Sequence, residues 1–62
     1  MKIQDLEGKK FYHYSNPKLV GVLGKSIEGR CSIYDKKGIE TNWYGENDIL
    51  YFVEMGIMIF ID

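Results

Sequence analysis

Residues 30–44, Arg30-Cys-Ser-Ile-Tyr-Asp-Lys-Lys-Gly-Ile-Glu-Thr-Asn-Trp-Tyr44, decide the fold of this chain. Two runs rich in Ile, Tyr, Thr and Trp flank Lys36-Lys37-Gly38, a composition that marks a β-hairpin. A loop over 36–38, with Gly38 in the left-handed conformation, sets Asp35 opposite Ile39, Ile33 opposite Thr41 and Cys31 opposite Trp43. That register collects Cys31, Ile33, Ile39, Thr41 and Trp43 on one face, and Arg30, Ser32, Tyr34, Glu40, Asn42 and Tyr44 on the other. A shorter loop would oppose Ile33 to Glu40 and Cys31 to Asn42. It would mix the two chemistries, so the pattern selects the first register.

Upstream, Leu19–Ile27 reads as a long strand bent at Gly21 and Gly24, because glycines inside a strand mark bends or close backbone approach. Lys10–Tyr14 reads as a shorter strand, with Phe11 and His13 on one side and Tyr12 and Tyr14 on the other. Ser15-Asn16-Pro17 and Glu28-Gly29 are the turns that separate them. In the lead-in Met1–Gly8, Ile3 and Leu6 are expected to pack at the mouth of a barrel. Downstream, Gly45–Asp48 is a turn. Asn47 or Asp48 can cap a single 3₁₀ or helical turn near 48–53, where Ile49, Phe52 and Val53 have helical spacing; a short strand is the alternative. Met55-Gly56 then reverses the chain into Ile57-Met58-Ile59-Phe60-Ile61. The expectation is all-β: one domain over residues 1–62, a five- to six-stranded small barrel or curled antiparallel sheet.

Composition narrows the function. A chain of 62 residues buries a modest core and needs help from aromatic packing or self-association; its nine aromatics (three Phe, one Trp, five Tyr) fit either use. One cysteine and one histidine permit no internal disulfide and no metal-ligand spacing. Eight basic residues against nine acidic ones give a formal charge of −1, whereas dedicated duplex binders are usually clearly basic. The basic residues all lie at or before Lys37, with only acids after it. Met1–Glu7 is too polar for a secretion signal and Gly56–Ile61 is too short to span a bilayer, so a cytoplasmic, non-membrane location is expected.

The order of pieces resembles SH3-like small barrels, the shape shared by Tudor and KOW modules and many short phage or prophage proteins. The residues carrying the likeness are Gly8 before an aromatic strand, Pro17 before a long strand bent at Gly21 and Gly24, the Lys36–Gly38 hairpin, and Ile49-Leu50 entering a closing strand. It covers Gly8–Val53, and the tail Gly56–Asp62 goes beyond it. The resemblance implies a five-strand barrel that works by binding.

Candidate sites follow from the faces. Tyr12, Tyr14, Tyr34 and Tyr44, with Arg30, occupy positions opposite the apolar set and are candidates for a protein-partner surface, Tyr and Arg being enriched at hot spots. Lys18, Lys25, Arg30, Lys36 and Lys37 are the candidates for phosphate contacts if the partner is nucleic acid, with tyrosines to stack bases. Ile57, Met58, Ile59, Phe60 and Ile61 are apolar at every position and form the candidate interface of a homodimer, since such a strand left at an edge invites pairing. His13, Cys31 and Asp35 are the only materials for a thiol nucleophile, and Cys31 reads as a small core residue instead. Neither a metal site nor a cofactor loop is present in the pattern, and no enzyme is expected. The leading expectation is a non-catalytic protein-binding module, a phage or mobile-element accessory or inhibitor protein. The alternatives are a nucleic-acid-binding barrel and a nucleotide-type pocket at a dimer seam.

Overall fold

The computed structural model describes residues 2–61. A 3₁₀ turn, Ile3–Asp5, leads into strands β1 (Lys10–His13), β2 (Asn16–Ile27), β3 (Arg30–Asp35) and β4 (Glu40–Gly45). Helix α1 (Glu46–Glu54) and strand β5 (Met58–Ile61) complete the chain. The strands form one antiparallel sheet in the order β4-β3-β2-β1-β5, so it stays open, with β4 and β5 as its edges. The all-β curled sheet expected from the sequence is what forms.

Turn chemistry explains the meander. Glu28 and Gly29 both adopt positive φ between the paired residues Ile27 and Arg30, as a type I′ hairpin requires. Asp35 Oδ1 accepts the Lys37 and Ile39 amides at 2.8 and 3.0 Å, while Gly38 takes φ +83 and donates to the Asp35 carbonyl. The sheet bends at β2: the pairing slips between Leu23 and Ser26, leaving Gly24 and Lys25 opposite Ser32. A Cβ on Gly24 would lie 2.9 Å from the Tyr34 ring and 3.0 Å from the Ser32 carbonyl, so only glycine fits there. Likewise Gly21 leaves room for the Phe11 ring, which a Cβ would approach to 2.8 Å.

The hairpin keeps the expected register at its tip, where the Asp35 amide donates to the Ile39 carbonyl at 2.9 Å. Beyond it, Thr41 is an extra residue. Tyr34 pairs with Glu40 but Ile33 pairs with Asn42, Ser32 with Trp43 and Cys31 with Tyr44. The Thr41 hydroxyl donates to the Ile33 carbonyl at 3.1 Å and so satisfies an acceptor at the bulge. The one-residue slip exchanges the faces expected for the end of β4. Tyr44 turns inward and packs against the core, edge-to-face on Phe52 at 5.6 Å, whereas Trp43 is 39% exposed. Ile39, expected inside, is 60% exposed, and Thr41 and Asn42 are exposed.

Residues 48–53 belong to a nine-residue α-helix, longer than the single turn expected there. Its N-cap is Gly45, with Glu46 and Asp48 in the first turn, where carboxylates favour the helix dipole. It ends in a Schellman motif: the Ile57 amide donates to Phe52 and the Gly56 amide to Val53, with Gly56 at φ +75. Ile49, Leu50, Phe52 and Val53 pack onto the inner face of the sheet. Together with Ile3 and Leu6 they bury Phe11, Leu23, Cys31 and Met58. The inner layer thus covers one face of the sheet only.

Candidate partner-binding surface

Pairing fixes what the other, outer face carries. Tyr12 lies between Val20 and Ile59, and Lys10 between Val22 and Ile61. Val22 adjoins Tyr34, which adjoins Glu40; Ser32 adjoins Trp43 in the next row. All of these side chains point away from the buried Phe11, Leu23 and Cys31 by strand alternation. The centre of the outer face is therefore Tyr12, Val20, Val22, Tyr34, Trp43 and Ile59, each half-buried or more exposed. Its rim is mainly basic, with Lys10, Lys18, Lys25 and Arg30 exposed and the exposed acids Glu28 and Glu40 beside Trp43. Ile27, Glu28, Arg30 and Trp43 line a shallow depression at one corner. The Trp43 indole N–H donates to Glu40 Oε1 at 2.6 Å, which holds the ring across the end of the hairpin.

The sequence candidates distribute unevenly over this surface. Tyr12, Tyr34 and Arg30 lie on the outer face as expected. Tyr44 does not, because the Thr41 bulge turns it inward. Tyr14 is exposed past the end of β1, 5.0 Å from the His13 ring, and its amide donates to the Ile57 carbonyl. Trp43 takes the aromatic place that Tyr44 vacates; the sequence pattern placed it in the core, and no local signal marks the bulge. The five cationic candidates divide between the two ends of the sheet. Lys25 and Arg30 lie near the Glu28-Gly29 turn, and Lys18 lies with Lys36 and Lys37 near the opposite end. Arg30 and Asp35 bound β3, so these groups lie about 17 Å apart along the strand. The apolar centre separates them.

Polar chemistry gathers on the inner side, around Cys31. Ser26 donates its amide to Glu7 Oε2 at 2.9 Å and its hydroxyl to Glu46 Oε2. Burial pushes the Cys31 thiol up from its ordinary value, with the polar Ser26 side chain opposing and the carboxylates of Glu46 and Glu7 reinforcing the shift. A thiol held protonated in this way is a poor nucleophile. His13 pairs with Asn16 and Met58 and takes the Ser15 hydroxyl on Nδ1 at 2.7 Å, far along the sheet from Cys31. Asp35 caps its own hairpin. The three are not brought together. Among the described residues no group of three His, Cys, Asp or Glu side chains is arranged to hold a metal ion, and no helix is long and apolar enough to cross a membrane.

No protein-family model, curated protein or solved structure matches this chain.

Proposed function

We propose that this chain is a non-catalytic binding module whose outer sheet face docks a protein surface with an apolar centre and an acidic rim. One observation carries the reading: α1 and the 3₁₀ turn cover only the inner face, leaving Tyr12, Val20, Val22, Tyr34, Trp43 and Ile59 inside a border that is mainly basic. An apolar, aromatic centre with a charged rim is the anatomy of a protein interface. Rigid aromatics and arginine are also the residues that concentrate binding energy. The test is affinity capture with the wild type and with a folded Tyr34→Ala/Trp43→Ala variant. A partner that the wild type retains and the double variant loses supports the reading; equal retention by both overturns it.

Single-stranded nucleic acid is the second reading, favoured by the same arrangement of Tyr12, Tyr34 and Trp43 between two cationic ends. Titration of a mixed-sequence oligonucleotide at low and at physiological salt separates the two. Binding that weakens steeply with ionic strength and requires Lys25 and Arg30 selects nucleic acid.

A further inference from the structure

The β5 edge carries an inference that does not depend on what the outer face binds. We infer that β5 pairs antiparallel with β5 of a second copy of this chain, joining two five-stranded sheets across a two-fold axis. Just before β5 the Ile57 carbonyl accepts the Tyr14 amide, and within it Ile59 and Ile61 lie opposite Tyr12 and Lys10. Backbone groups of alternate residues point to opposite sides of a strand, so Ile57, Ile59 and Ile61 direct theirs toward β1. Met58 and Phe60 direct theirs to the open side, where they have no hydrogen-bond partner among the described residues.

Those groups are self-complementary in one register. With Ile59 facing its own symmetry mate, Met58 of each copy exchanges both backbone bonds with Phe60 of the other. Every outward N–H and C=O of the strand is then used. The same register sets Ile57 against Ile61 and Ile59 against Ile59 on the outer face, giving an isoleucine ladder across the seam. Ile61, 43% exposed in one copy, is covered in two. The strand Met58–Ile61 contains no charge, proline, glycine or bulge, the features by which sheet edges ordinarily resist pairing. Charge argues for this edge over face-to-face packing. Two outer faces laid together would bring one rim carrying Lys10, Lys18, Lys25 and Arg30 against another, with Glu40 offsetting part of that charge, whereas an edge seam brings together uncharged strands.

The experiment reads both state and register. The wild type should sediment as a dimer over micromolar to millimolar concentration, with the Met58 and Phe60 amides protected from exchange. Ile59→Lys places two like charges at the axis and should give a folded monomer. Register is read by Ile59→Cys and Ile57→Cys. Ile59→Cys should cross-link readily under mild oxidation because each thiol meets its mate. Ile57→Cys faces Ile61 instead and should cross-link about tenfold more slowly. Cys31, buried in both variants, supplies no competing thiol. A monomeric wild type throughout the range overturns the inference. So does a dimer insensitive to Ile59→Lys, or equal cross-linking at positions 57 and 59.

Discussion

At the β4 edge the chain interrupts its own ladder. Thr41 is looped out, Glu40 brings a charge, Asn42 is exposed and Gly45 ends the strand at the helix. At the β5 edge every residue from Met58 to Ile61 is apolar and the pairing to β1 runs without a slip. The two edges solve opposite problems with the same backbone. A bulged, polar strand offers an incoming strand no continuous row of partners, whereas a regular apolar strand offers both hydrogen bonds and side-chain cover. Edge chemistry, more than strand count, separates the closed side of this sheet from the side open to assembly.

The comparison holds only while the sheet keeps its curl on the inner layer. Leu23 is fully buried midway between the edges, and Leu23→Ala should cost about 2–5 kcal/mol in chemical denaturation, the largest effect expected here. Gly24→Ala attacks the bend itself; crowding against Tyr34 and the Ser32 carbonyl should cost about 1–3 kcal/mol. Unchanged stability in Gly24→Ala would mean that the β2 slip is not what shapes the sheet. Deleting Thr41 makes the β4 ladder regular, and should shift stability by about 1 kcal/mol or less while raising self-association at that edge. Sedimentation of the deletion beside the wild type measures this. Ile61→Lys gives β5 the charge it lacks; stability should move within about 0.5 kcal/mol, with weaker association the visible result.

The smallest effect concerns the hairpin that leads to β4. Hydrogen bonds from the Ile39 and Lys37 amides hold the Asp35 carboxyl below its usual range, the nearby Lys37 charge adding to them. A carboxyl depressed in the folded state stabilises above its ordinary pKa of about 3.9 and loses that contribution as pH falls through its folded value. The protection factors of the Lys37 and Ile39 amides, taken against their intrinsic exchange rates, should therefore fall on acidification below that range, and Asp35→Asn should remove that fall.

Much of the fold was legible because its signals are local. Gly38, Asp35 and the Glu28-Gly29 pair declare their turns through backbone freedom and short-range hydrogen bonds, so the meander and the hairpin tip follow from residue type. The helix was half legible. Ile49, Phe52 and Val53 have its spacing and Gly56 its stop signal, yet nine residues with a glycine N-cap are held mainly by packing on the sheet. Of the candidate surface, Tyr12, Tyr34 and Arg30 could be placed by alternation from the nearest turn. Trp43 and Tyr44 could not, because alternation survives only while pairing is uninterrupted and Thr41 breaks it without a glycine to announce the break.

Residue order alone thus determined the strand-and-turn rhythm, the glycine positions where the chain reverses or bends, and the uncharged character of the last strand. Only the tertiary structure decided which faces those strands show. It set the count of residues across the hairpin, which sends Tyr44 in and Trp43 out, and it put β5 at an edge beside β1. The physical reason is range. Turns are specified by a few adjacent residues, whereas face and edge depend on hydrogen-bond partners distant along the chain, and one extra residue in a ladder reverses everything beyond it.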